Sequence, residues 1–234
     1  MPKKIFHVEG IGDVAIYKHA TARNIRLRVN SEGLIRVTVP KWAPYRSGVL
    51  FAQSKKGWIL QQAPKQMLIA HDTFIGQRHR VVISYGNKDC KQRFRVANDE
   101  IQATLPLGTD ASSTDVQNQL IRKAEKALKT EAQDYLPRRL DQLATSHNFS
   151  YRNVSIKKMK SRWGSCTSRK DISLNVFLMQ LDETLIDYVL LHELLHTKIQ
   201  AHGKRFWSEL DNYVPELAEV RKQMRLVEPR LFPR

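Results

Sequence analysis

Cysteine is nearly absent: Cys90 and Cys166 are the only two in 234 residues, and they sit in unrelated surroundings. Such usage builds neither a disulfide framework nor a C-x-x-C zinc site, and it suits a reducing cytoplasm. Long apolar runs are missing too. No stretch approaches the roughly 20 residues that a membrane-spanning helix needs. The start, Met1-Pro-Lys-Lys-Ile-Phe-His-Val-Glu-Gly10, lacks the apolar segment of a signal peptide. A cytoplasmic protein with no membrane partner is therefore expected. No internal repeat and no low-complexity segment stands out. Acidic residues are outnumbered, 23 against 39 basic, for a net charge of +16. That surface favours anionic partners: nucleic acid, nucleotides or anionic lipid. A basic protein with no anionic ligand is the plainer alternative. The excess is larger in residues 1–110, with 18 basic and 8 acidic residues, than in 111–234, with 21 and 15.

What is present is enough for a sizeable core, with 41% hydrophobic residues. Residues 14–20 read as a first strand. Ile25, Leu27 and Val29 alternate with Asn24, Arg26 and Arg28, and Ile35, Val37 and Val39 with Leu34, Arg36 and Thr38. With Asn30-Ser-Glu-Gly33 as the turn, this is a hairpin with one basic face. Val49 to Leu68 has a helical pattern weakened at Gly57 and broken at Pro64. Thr73 to Tyr85 reads as a strand pair or a bent strand, and Arg93–Val96 with Ile101–Leu105 as a second hairpin. His71 and His79, each alone, are expected at the surface. Pro106 to Thr114 is turn-rich and reads as a linker. A long helix follows, capped by Asp115, which Pro137 should kink or split. Val154–Lys160 and Ile172–Leu178 are strand-like, the latter also able to begin a helix.

The most informative stretch is Leu185-Ile-Asp-Tyr-Val-Leu-Leu-His192-Glu193-Leu-Leu-His196. It reads as one helix, capped by Asp182 or Thr184 and with little polar face, so it should be buried. His192 and His196 then lie one turn apart on one side, with Glu193 beside them. This H-E-x-x-H arrangement places two imidazoles on one metal ion and a carboxylate next to the attacking water. The blander alternative is two core histidines bonded inside the protein. His202 follows six residues after His196 as a candidate third ligand, with Glu209 and Glu216 as acidic alternatives. The chain must bend after Ile199 for His202 to reach the ion, and Gly203 suits a bend. Phe206 and Trp207 should pack a second helix on the first. Arg162-Trp163-Gly164-Ser165 precedes the helix at a distance suited to a strand edge lining a cleft. There it would pair with an extended peptide, or Arg162 would grip a phosphate or carboxylate. A structural turn with Trp163 in the core is the alternative. Tyr188 and Tyr213 are candidates for stabilising a transition state.

Several of these stretches occur together: Ser161-Arg-Trp-Gly-Ser-Cys166, Ile172-Ser-Leu-Asn175, Ile186-Asp-Tyr-Val189, His192-Glu-Leu-Leu-His196 and His202-Gly-Lys-Arg-Phe-Trp207. With Asn24-Ile-Arg-Leu-Arg-Val29, Gly33 to Pro40 and Phe74-Ile-Gly-Gln-Arg-His-Arg80, they resemble the YgjP-like metallopeptidase domain over nearly the whole chain. More distantly the sequence is similar to SprT-like proteases, which act near DNA. The spacing from His192 to His202 matches metzincins, but Ile199 stands where they carry glycine and no Met-turn follows. The pattern along the chain predicts an α+β protein, a β-rich basic domain over 1–110 with one inserted helix and a catalytic domain over 111–234, for which the resemblance implies a zincin-like core. The resemblance also implies one Zn2+ held by His192, His196 and His202, with Glu193 as general base. The expected activity is that of a zinc-dependent hydrolase acting on peptide or unfolded protein. A metal-dependent nucleoside triphosphate pyrophosphatase is the alternative, and a basic nucleic-acid-associated module with structural zinc is a third reading.

Overall fold

The structure, a computed structural model, describes residues 3–29, 34–62 and 68–231. The chain forms two compact units, residues 1–67 and 68–234, and mixes sheets with helices. The turn Asn30–Gly33, the break at Pro64 and the terminal Pro233 lie outside the described residues.

In the N-terminal unit, β1 (Lys3–Val8), β2 (Gly12–His19), β3 (Arg26–Val29) and β4 (Ile35–Pro40) form a sheet in the order β1-β2-β4-β3. β1 was not expected from sequence, because its one fully buried apolar residue, Val8, sits at its end. The outer pairs are antiparallel and the central pair, β2 with β4, is parallel. Val14, Ile16, Ile35, Val37 and Val39 alternate onto one face and are buried. Helices α1 (Tyr45–Ser54) and α2 (Lys56–Gln62) replace the single helix expected from Val49. α1 packs closely on the sheet because Gly48 has no side chain. A Cβ there would lie 3.0 Å from Ile16 and 3.1 Å from Val39.

The C-terminal unit begins with a second four-stranded sheet: β5 (Phe74–Ile75), β6 (His79–Gly86), β7 (Arg93–Ala97) and β8 (Glu100–Pro106), in the order β5-β6-β8-β7. Its pairings repeat the first sheet: antiparallel, parallel, antiparallel. The registers coincide as well. Val14 faces Ile35 and Ile16 faces Val37; Val81 faces Ile101 and Ile83 faces Ala103. Val8 and Ile75, Val14 and Val81, and Arg26 and Arg93 each lie 67 residues apart. Arg26-Leu-Arg-Val29 matches Arg93-Phe-Arg-Val96, and Ile35-Arg-Val-Thr-Val-Pro40 matches Ile101-Gln-Ala-Thr-Leu-Pro106. The chain therefore carries a tandem repeat that the pattern of the whole sequence does not advertise.

α3 (Thr114–Ser146) runs as one helix through Pro137, where a kink or split was expected. The carbonyl that Pro137 leaves without a helical donor belongs to Gln133, which is exposed and open to solvent. α3 buries Val116, Leu120, Ala124, Leu128, Leu136 and Leu140 in the same core as Ile75, Val81, Ile101 and Leu105. The second sheet thus belongs with the helical part, and the observed division falls after residue 67 instead of at 110. Pro106 to Thr114 is a short connection inside one core, not a linker.

A third sheet contains β9 (Asn153–Lys157), β10 (Gly164–Cys166) and β11 (Asp171–Asn175), in the order β10-β11-β9. A 3-10 turn, Val176–Gln180, leads into α4 (Glu183–Leu195), with Asp182 at its N-cap. α5 (Lys204–Asp211) and α6 (Leu217–Met224) complete the unit. Among the described residues, no helix is long and apolar enough to cross a membrane.

Candidate metal centre

α4 is buried along Leu185, Ile186, Val189, Leu190, Leu194 and Leu195, which fixes its rotation about its axis. That rotation turns His192 and His196 to the same side. The backbone continues in a turn to Ile199, whose N–H donates to Leu195. It then reverses so that Gly203 caps α5. His202 is carried back to the pair by this reversal, as its spacing suggested. The three Nε2 atoms form a small triangle, with separations of 3.2 Å (His192–His196), 3.0 Å (His196–His202) and 2.9 Å (His192–His202).

This triangle has a simple electrostatic reading. A neutral imidazole nitrogen is either an N–H donor or a bare lone pair. Among three mutual contacts, two nitrogens must be alike, so hydrogen bonding cannot satisfy all three sides. The Nδ1 of His196 lies 3.1 Å from the carbonyl of Ile199, which holds the proton there and bares Nε2. Burial, then the neighbouring His196 and His202, push His192 down to about 3. Burial also lowers His196, outweighing the Ile199 hydrogen bond. Neutral imidazoles converging on one point are the donor set of a divalent cation. Tetrahedral zinc with Zn–N bonds near 2.0–2.1 Å separates its nitrogens by about 3.4 Å, close to the triangle observed. These three are the group of potential ligands brought together among the described residues.

Aromatic rings hold the imidazoles in place. Phe206, fully buried on α5, lies within 4.7–4.9 Å of all three rings. Trp207 stacks on His202 at 5.6 Å, and its indole N–H donates to the His202 carbonyl at 3.1 Å. Among the described residues, the buried Nδ1 of His192 finds no hydrogen-bond partner, nor does Oε2 of Glu193.

Glu193 is 5% exposed. Burial pushes its carboxyl up to about 8, against a lowering by the Arg162 guanidinium. The carboxylate lies directly over Gly164: a Cβ at that position would come within 2.6 Å of Glu193 Cγ and Oε1. β10 is the outer strand of its sheet among the described residues. Between β10, α4, α5 and α6 lies a cleft of about 350 Å³. Arg162, Trp163 and Gly164 form one wall; Tyr188, His192 and Glu193 form another. Ser165 lies one residue further along, paired with Ser173. Trp163 is half-buried at the cleft and not a fully enclosed core residue.

The remaining candidates fall elsewhere. Tyr213 sits edge-on to His147 and Phe149 and donates to Glu209, which occupies both. Glu216 begins α6 with a left-handed backbone, φ 52°. Cys166 is pushed up to about 11, first by burial and then by Glu193, which keeps it a thiol. His79, expected at the surface, is buried instead: its Nδ1 lies 2.5 Å from Glu131, itself 1% exposed. Three structural features were not foreseen. Arg221 and Arg225 line the cleft opposite Arg162, and Arg221 stacks on Trp207 at 3.7 Å. Asn175, fully buried, donates to the carbonyls of Met159 and Arg162, both at 2.8 Å, and so sets the approach to β10.

A 65-residue stretch is 42% identical to the uncharacterized protein MJ0123 of Methanocaldococcus jannaschii, covering 26% of this chain and 59% of that protein. The chain thus spans little more than half the length of this curated relative. Two solved metallopeptidase zymogens are similar in part. Jannalysin of M. jannaschii is 31% identical over 39% of this chain and 97% of its own, with a TM-score of 0.35. Abylysin of Pyrococcus abyssi is 22% identical over 38% and 90%, also with a TM-score of 0.35. The family described as YgjP-like, metallopeptidase domain, matches residues 23–226, which include every residue of the histidine triangle and its cleft. On that match the chain belongs to the YgjP-like metallopeptidase domain family.

Proposed function

We propose that this protein is a zinc-dependent metallopeptidase with a zincin-like core, in which His192, His196 and His202 hold one zinc ion and Glu193 is the general base. One observation carries the reading: three imidazole nitrogens converge on a point, and one of the three histidines, His192, shares a cleft wall with a buried glutamate. When bound, zinc supplies Lewis acidity, polarising the bond under attack and easing deprotonation of water. Glu193 takes that proton and returns it to the leaving amine. The free edge of β10 pairs with an extended peptide backbone, and Gly164 lets that backbone approach Glu193. Tyr188 is the tyrosine on the cleft wall and the candidate donor to the developing oxyanion.

A second reading, hydrolysis of nucleoside triphosphates, is favoured by Arg162, Arg221 and Arg225 around the same cleft. Metal-assisted attack on phosphorus needs the same base and ion. Glu193→Gln should keep zinc and fold while lowering turnover by about 10²–10⁴-fold. His202→Ala should lower zinc stoichiometry; unchanged zinc content would remove His202 from the site. Wild type, Glu193→Gln and Arg162→Ala, assayed on unfolded protein and on nucleoside triphosphates, separate the two substrates. A phosphohydrolase should lose about 1.5–3 kcal/mol of substrate interaction with Arg162→Ala. A peptidase using backbone pairing should be nearly indifferent to it. Glu193-dependent pyrophosphate release without peptide cleavage would replace the peptidase by the second reading.

A further inference from the structure

We infer that the open face of the β1–β4 sheet is a docking surface for single-stranded nucleic acid. Residues 1–67 hold 12 basic and 3 acidic residues, a net of +9; the other 167 residues hold 27 and 20, a net of +7. The positive charge is therefore concentrated in the smaller unit, away from the histidine triangle in sequence.

The register places much of that charge on one face. Arg28 is directly opposite Arg36, and Arg26 opposite Thr38, which is itself opposite Tyr17. All alternate away from the buried Val14, Ile16, Val37 and Val39, so they point to solvent. A groove of about 370 Å³ runs among His19, Thr21, Arg26, Arg28, Arg36 and Thr38. Among the described residues, none of the three guanidiniums is paired with a carboxylate. Like charges directly opposite each other destabilise a sheet, so a fold has no reason to gather them without an anionic ligand.

The repeated sheet supplies an internal control. Arg93 and Arg95 correspond to Arg26 and Arg28, but Gln102 stands in place of Arg36 and Ser84 in place of Tyr17. There the face also carries acid: Arg95 donates to Gln102 at 2.6 Å, Gln102 to Glu100 at 2.7 Å, and Arg80 lies 3.4 Å from Asp72 and 3.7 Å from Glu100. Arg26 and Arg28 thus have counterparts in the second copy; Arg36 and the Tyr17 ring are particular to the N-terminal one, where Leu34 stands in place of Glu100.

Their setting selects the ligand. Arg26 and Arg28 project from one strand about 7 Å apart, a spacing comparable to successive phosphates in an extended strand. Tyr17 offers a ring on the same face, with Arg36 stacked on it at 4.1 Å. Sheet faces that combine cations for the backbone with aromatic rings for splayed bases recognise single strands, whose bases are free to stack. Ile5 and Leu34 are the large exposed apolar residues described on this face, too little for insertion into a bilayer.

The test is binding of a fluorescent oligo-uridine to the full-length protein, followed by anisotropy across a salt series. The triple substitution Arg26→Ala/Arg28→Ala/Arg36→Ala should weaken binding at least ten-fold. It should also make the slope of log K against log salt shallower by about 2, for three lost contacts to a single strand. Tyr17→Ala should weaken binding about ten-fold with the slope retained. Arg93→Ala/Arg95→Ala should change neither. Circular dichroism and hydrolytic turnover should be those of wild type in all of them. Failure of wild type to bind, equal loss in the Arg93/Arg95 variant, or equally tight binding of a duplex or of phosphatidylserine vesicles would overturn the inference.

Discussion

Gly76 illustrates how single residues here serve the site from a distance. It has φ +69°, and a Cβ on it would lie 2.5 Å from Glu131 and 2.8 Å from Leu128. The turn it permits wraps the Glu131 carboxylate, which accepts the N–H groups of Gln77, Arg78 and His79. The Gln77 side chain then donates to the carbonyls of Met179 and Leu181, just before α4 begins. Burial raises the Glu131 carboxyl, but the His79 hydrogen bond, the Gln77 N–H and the charge of His79 outweigh it and leave it below the ordinary value. A depressed carboxyl stabilises the fold above the ordinary carboxylate range and loses that contribution as pH falls through the native value. Urea unfolding between neutral and acid pH should therefore show Glu131→Gln less stable by about 3–5 kcal/mol at neutral pH, as for a broken buried pair. The gap should narrow toward acid. Gly164→Ala makes the contrasting case. It pushes on the Glu193 carboxylate and should lower turnover with zinc content unchanged, read by metal analysis beside a rate assay.

At the scale of elements, α4 was legible because H-E-x-x-H sets three polar side chains into an apolar helix, where only strong partners such as a metal ion offset the cost of burying them. β10 was legible because its spacing from α4 suits an edge. What positions β10 was not. Asn175 ends an apolar strand, where asparagine ordinarily signals a turn; only the structure reveals that its amide serves two carbonyls of the preceding loop. Asn175→Ala leaves both without that donor and should lower kcat/KM together with thermal stability by about 1–3 kcal/mol. Asn175→Asp, which keeps the acceptor but not the donors, should not rescue it. Arg221 and Arg225 were missed because cations one turn apart on a polar helix read as solvated. The same limitation applies to Asp187, which locks α4 to α3 through a paired contact with Arg139, at 2.8 Å from Nε and 2.5 Å from Nη2. The repeat was hidden by a one-residue difference in the turn of its second hairpin and by the divergence of every solvent-facing position except Arg26/Arg93, Arg28/Arg95 and Thr38/Thr104.

For the whole molecule, two separate cores mean two stabilities. A unit of 67 residues buries a smaller fraction of its surface than one of 167. Ile16→Ala, expected to cost about 2–5 kcal/mol, should abolish slow hydrogen exchange in β1–β4 and leave α4 protected. Loss of protection in α4 to the same extent would mean that the two cores unfold as one. The repeat has a further consequence for how this chain tolerates change. Its two copies carry the same three-residue first turn, Glu9-Gly10-Ile11 and Gly76-Gln77-Arg78. The second is gripped by a buried carboxylate and by the approach to α4, so a substitution there reaches the active helix. Among the described residues of its own unit, no buried carboxylate grips the first. Aligned positions of the two turns should therefore differ sharply in a saturation-mutagenesis survey, with the second copy intolerant and the first permissive.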